Sequence, residues 1–150
     1  MEEQATVPST LEEYINNHQQ KWTSVITELN SKIKNFADLP DLQNVIYAKR
    51  QDAVDYYFGI LSKVSSLSRE YKAKYSERYN FYKTQAQIRY ASEAALNSQI
   101  ASDLRNEKYQ IELLEQHSKY MGETIKTLDN VIYAITNRIK IEELLNGVKK

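Results

Sequence analysis

The stretch from Ile100 to Ile139, IASDLRNEKYQIELLEQHSKYMGETIKTLDNVIYAITNRI, decides the fold class. Ile100, Leu104, Ile111, Leu114, Met121, Ile125, Leu128, Ile132, Ile135 and Ile139 recur in it at alternating steps of three and four, with Glu107 and Ser118 in the polar slots. Such steps put side chains on one face of an α-helix every 3.5 residues, the mark of a coiled-coil seam. No proline interrupts the series, and Leu144 and Leu145 extend it toward Gly147, so a helix is predicted over about residues 96–146. A seam of this length exceeds what a compact monomer of 150 residues buries. Ile111, Leu114, Met121, Ile125, Leu128, Ile132, Ile135 and Ile139 are therefore expected to form an oligomer interface, with Gly122 permitting close helix approach.

The same periodicity runs through the chain before it. Leu11, Ile15, His18, Trp22, Val25, Leu29 and Phe36 follow three- and four-residue steps until the last, behind Ser9 or Thr10 as the candidate N-cap and Glu12 and Glu13 in the first turn. A helix is predicted over about residues 11–36. Asp38-Leu39-Pro40-Asp41 breaks it, because proline disfavours helical geometry at the residue before it, and Asp41 can cap the second helix. A short connection of this kind returns the next helix antiparallel. Leu42, Ile46, Lys49, Ala53, Tyr56 and Ile60 carry the seam onward, and the second helix is predicted over about residues 41–90. Residues 91–98, ASEAALNS, are small and hold no strong breaker, which leaves a hinge and a straight helix both open. The expected fold is all-α: a helical hairpin plus a C-terminal helix with coiled-coil-like heptad seams, oligomeric. It forms a single helical domain over residues 10–150 behind a flexible acidic N-terminus, residues 1–9.

Composition narrows the class further. Twenty basic and twenty acidic side chains cancel, so net charge names no partner. With no cysteine, disulfides and thiolate metal sites are excluded, and a reducing cytosol is compatible. No apolar run reaches the roughly 18 residues of a membrane span, and the N-terminus lacks the order of a signal peptide. The expectation is a cytoplasmic protein with no membrane partner. Three glycines and two prolines leave few loops to build.

Charge is concentrated in Arg69 to Tyr90, REYKAKYSERYNFYKTQAQIRY, where six cations meet two acids among six aromatic residues. Cations for phosphates beside flat rings for unstacked bases suit single-stranded nucleic acid. On a helical wheel the apolar seam of Ile60, Val64 and Leu67 becomes Tyr71, Tyr75, Arg78, Tyr82 and Arg89. A second stripe holds Arg69, Lys72, Tyr79, Lys83 and Tyr90, with no acid among them. Arg69, Lys72, Lys74, Arg78, Tyr79, Lys83, Arg89 and Tyr90 are the candidate nucleic-acid-binding residues. The competing reading packs the tyrosine rings at a helix interface while the cations reach water.

Catalysis finds no support in the residues. His18 and His117 belong to no metal-ligand motif, the three glycines stand alone rather than in a phosphate loop, and Glu12-Glu13 and Glu142-Glu143 read as solvated helix ends. Trp22 occupies a seam position, where core packing or a partner hot spot are the alternatives. No catalytic residue, metal site or cofactor is expected, and the protein is read as no enzyme.

The middle and C-terminal parts resemble the UvsY recombination mediator family of T-even phages. The similarity begins near Leu42-Gln43, passes through Ile60 to Leu67 and Arg69-Glu70, and continues into the basic stretch. It resumes at Tyr120, Leu128-Asp129, Ala134-Ile135, Arg138 and Ile141, so it touches about two-thirds of the chain through spaced similarities rather than one signature. The resemblance implies a bacteriophage protein that binds single-stranded DNA as a homo-oligomer, in that family a ring. It also implies work beside a single-strand-binding protein and a RecA-like recombinase in the host cytoplasm, in DNA recombination and repair. The family's DNA-contacting segment corresponds to Arg78 to Arg89. Lys83 is the best match, the neighbouring family arginine meets Gln85, and Arg89 stands one turn away. This chain lacks the family's glycine-rich break after the basic segment and has a longer first helix.

Two functions are expected on these grounds. One is a non-enzymatic, oligomeric single-stranded DNA-binding mediator that helps load a RecA-like recombinase. The other is a helical coiled-coil structural or adaptor protein, for instance in phage assembly, without nucleic-acid binding.

Overall fold

A computed structural model describes residues 10–87 and 89–148, with the side chains of residues 36 and 148 outside the description. The expectations for residues 1–9 and the lysine tail at 149–150 lie outside the described residues. The chain is all-α, with no strand among the described residues. Helix α1 spans Leu11–Lys32, α2 spans Leu39–Thr84, α3 spans Glu93–Asp103 and α4 spans Arg105–Val148, with a short 3-10 turn at Phe36–Asp38.

Of the two candidate caps it is Thr10 that caps α1, its hydroxyl accepting from the Glu13 amide at 3.2 Å. The first break differs from expectation. Helix α1 ends at Lys32, not near Phe36, and Pro40 lies inside the first turn of α2. A proline there loses nothing, because the first amides of a helix have no partner within it. Asp41 accordingly sits in the first turn of α2 rather than capping it.

The second break is real but earlier than residues 91–98. Helix α2 stops at Thr84, and Ser92 caps α3 by accepting from the Ala95 amide at 3.1 Å. The end of α2 is closed without glycine. The Arg89 guanidinium donates to the Lys83 carbonyl at 2.5 Å, taking up a helix-end acceptor. A further discontinuity at Leu104, with φ −103° and ψ 17°, divides the predicted third helix into α3 and α4. Gly147 does not end α4, which includes it.

The described chain forms two compact units, Met1–Tyr57 with Lys119–Lys150, and Phe58–Ser118, where the sequence predicts one domain. In the first unit, Gln43 meets Thr136 and Arg50 meets Asp129 at 2.5 Å, so α2 and α4 run antiparallel. The Tyr120 hydroxyl donates to the Gln19 carbonyl and Arg138 to the Ile33 carbonyl, so α1 and α4 run parallel. Their common core holds Ile15, Trp22, Leu29, Leu39, Ile46, Ala53, Met121, Leu128 and Ile135.

This packing corrects the interface expectation. Ile111, Leu114, Met121, Leu128 and Ile135 are buried within the single chain, and Ile125, Ile132 and Ile139 are half-buried. Helices of the same chain cover the seam, so its length does not require a second copy. Nor does Gly122 mark a close approach, since a Cβ added there would meet only the Tyr57 ring at an ordinary 3.9 Å.

Candidate nucleic-acid interface

The basic-aromatic stretch falls in the Phe58–Ser118 unit, on the C-terminal half of α2. Here α3 turns back along α2, and its apolar face supplies Leu96, Ile100 and Leu104, each at most 4% exposed. Tyr71, Tyr75, Tyr79, Tyr82 and Tyr90 pack against that cluster. Tyrosine makes this possible because its ring covers apolar surface while its hydroxyl finds a polar partner at the rim. Tyr75 donates to the Asn97 amide oxygen at 2.8 Å, Tyr79 to the Glu93 carboxylate at 3.1 Å, and Tyr82 to the Asp103 carboxylate. Tyr90 sets its ring edge-on to Tyr82, with centroids 5.5 Å apart.

The two tyrosines expected to offer stacking faces, Tyr79 and Tyr90, are thus engaged in the packing of α3. The aromatic rings left exposed in this unit are those of Phe58, Phe81 and Tyr109.

The predicted cations divide into two groups. Lys83 pairs with Glu93 and also lies 5.6 Å from the centre of the Tyr79 ring. Lys74 pairs with Glu107 at 3.7 Å, and Arg78 exerts its field on Asp103. Arg89 spends its guanidinium on the carbonyls that end α2. Arg69 and Lys72 are exposed and form no ion pair among the described residues. They share one outward face of α2 with Ser65 and Ser76, and no acid interrupts that face.

Electrostatic shifts follow the contacts. The Lys83 hydrogen bond to Glu93 holds the ammonium above its ordinary value and the Glu93 carboxyl below its own. The Tyr82 hydrogen bond lowers the Asp103 carboxyl and raises the Tyr82 phenol. A cleft of about 400 Å³ opens between Tyr82, Lys83, Arg89, Ser92, Glu93 and Leu96.

The sequence reading missed the acids Glu93 and Asp103, and placed Glu107 in the C-terminal seam without its partner Lys74. Their signal was Ser92-Glu93, a capping serine followed by an acid in the first helical turn, which fixes where α3 starts and folds back. His117 was also missed as a core residue, being 1% exposed. Among the described residues there is no group of three or more His, Cys, Asp or Glu able to hold a metal ion. No described helix is long and apolar enough to cross a membrane.

No family model, curated protein or solved structure matches the chain.

Proposed function

We propose that the protein is a non-enzymatic mediator that binds single-stranded DNA through the outward face of α2. The observation that carries this reading is the acid-free exposed face of α2 bearing Arg69 and Lys72, with Lys83 further along the same stripe. Cations that track a backbone without reading bases give sequence-tolerant, salt-sensitive binding. A few phosphate contacts per protomer are weak, and assembly multiplies them through effective concentration. Support for assembly shifts from the buried seam to the exposed apolar residues Ile141, Leu144 and Leu145 near the end of α4. Delivery of the strand to a RecA-like recombinase in exchange for a single-strand-binding protein, in a phage-infected cytoplasm, follows from the family resemblance and belongs to the same proposal.

Fluorescence anisotropy with labelled oligo-dT tests it, together with mass by light scattering. Arg69→Ala with Lys72→Ala should flatten the salt dependence by about 1.4, at roughly 0.7 per phosphate contact for a single strand. Wild-type protein that shows no salt-dependent binding sinks the proposal.

A second reading, a helical structural or adaptor protein, is favoured by one observation: the tyrosine seam is satisfied internally against α3. It predicts that light scattering detects assembly while anisotropy detects no DNA.

A further inference from the structure

The acids facing α2 fall in an order that mirrors its cations. Along α2 the sequence is Lys74, Arg78, Lys83, and along the returning segment it is Glu107, Asp103, Glu93. Because the two run antiparallel, Lys74 meets Glu107, Arg78 acts on Asp103, and Lys83 meets Glu93. Nine residues turn a helix through half a circle, so Lys74 with Glu107 and Lys83 with Glu93 flank the α2–α3 contact on opposite sides, and Lys83 shares the stripe of Arg69 and Lys72. The apolar contacts of Leu96, Ile100 and Leu104 with the tyrosines hold that segment in register.

We infer that residues 93–107 form a built-in competitor for a polyanion, masking Lys74 and Lys83 so that DNA must displace Glu107 and Glu93 before using them. The inference rests on the single-strand-binding reading and specifies how that same surface is regulated. Displacement does not require α3 to leave. Both pairs are exposed to solvent, with side chains 37–57% accessible, and water screens such pairs so that each adds little net stability. A lysine stem is long enough to swing to a new partner while its own helix stays fixed. Arg69 and Lys72, which carry no such mask, would make the first contact, and Lys74 and Lys83 would follow by exchanging a carboxylate for a phosphate. Binding then releases fewer counterions than the number of cations on the surface implies, since two of the cations already hold an anion.

The test is Glu93→Gln combined with Glu107→Gln, which removes the competing charge and keeps a hydrogen-bond acceptor for Tyr79. Glu112→Gln with Glu115→Gln, two exposed acids elsewhere on α4, makes the same change in net charge. Oligo-dT binding is followed by anisotropy across a salt series, with circular dichroism to confirm unchanged helicity. The masking variant should bind about fivefold or more tighter at roughly 50 mM salt and steepen the salt slope by about 1.4, whereas the control should move little. Wild-type binding that both double variants leave alone, or raise equally, overturns the inference and leaves the binding reading standing. Absence of binding by wild-type and masking variant alike overturns both. If the double variant loses helicity, Glu107→Gln alone carries the test, with an expected steepening of about 0.7 against none.

Discussion

The Tyr82 hydroxyl donates a hydrogen bond of 2.5 Å to the Asp103 carboxylate, 21 positions along the chain. This bond fixes the register of α3 on α2 at its C-terminal end, as Tyr75 with Asn97 does nearer its middle. It also links the fold to pH. Asp103 has a folded pKa below its ordinary value, so its contribution is present above the unfolded value and lost as pH falls through the folded one. Tyr82 is shifted up, so its contribution holds below the ordinary phenol value and is lost as pH rises through the folded one. Tyr82→Phe should cost about 1 kcal/mol near neutrality. Melting followed from about pH 5 down to about pH 3 should show wild type losing more stability than Tyr82→Phe. Equal acid sensitivity would rule out Asp103 as the source of the loss.

Ile100 is fully buried at the centre of the α2–α3 contact. Ile100→Ala opens a gap in the Leu96–Ile100–Leu104 cluster against which the tyrosine rings pack and should destabilise the Phe58–Ser118 unit by about 2–5 kcal/mol. Hydrogen exchange should show protection lost first in α3. Uniform loss over the whole chain would mean that the two units unfold as one.

Gly122 lies inside α4 with no contact that a methyl group would violate. Gly122→Ala should therefore stabilise the protein by about 0.5–1 kcal/mol, since glycine loses more backbone freedom on folding than alanine. A lowered melting temperature would reveal a packing demand at that position.

His18 stacks on Tyr56 with ring centroids 4.6 Å apart and touches Tyr14 at 4.5 Å. Burial, then the nearby Lys21 charge, lowers its pKa. The unfolded chain therefore takes up the proton more readily, and stability falls as pH drops from the ordinary histidine value near 6.5 toward the lower folded value. Melts at about pH 7.5 and about pH 5 should differ more for wild type than for His18→Phe. The same difference in both proteins would assign the loss to other groups.

The helical class was legible because period and composition agreed across nearly the whole chain. Ile15, Trp22 and Leu29 in α1, and Leu42, Ile46, Ala53 and Ile60 in α2, are buried where the seam places them. Breaks were harder to read because the chain closes its helices by unusual means. Pro40 serves as a first-turn residue, Arg89 substitutes for a C-terminal glycine, and Leu104 interrupts a helix with a buried leucine. Positioning the break at residues 85–92 was the step on which the basic stretch depended. Once α3 starts at Glu93, the tyrosines have an apolar partner and three of the cations face acids. Local charge counting could not show this, since those acids lie 10 to 33 residues away from their partners.

The placement of Trp22 has an optical consequence. It is the only tryptophan, 5% exposed in the core of the unit that joins α1 to the far part of α4, and Phe58–Ser118 contains none. Indole emission therefore follows the melting of one unit, while backbone dichroism follows both. Any gap between the two curves belongs to Phe58–Ser118, so the tyrosine-clad contact carries its own spectroscopic record without an added label.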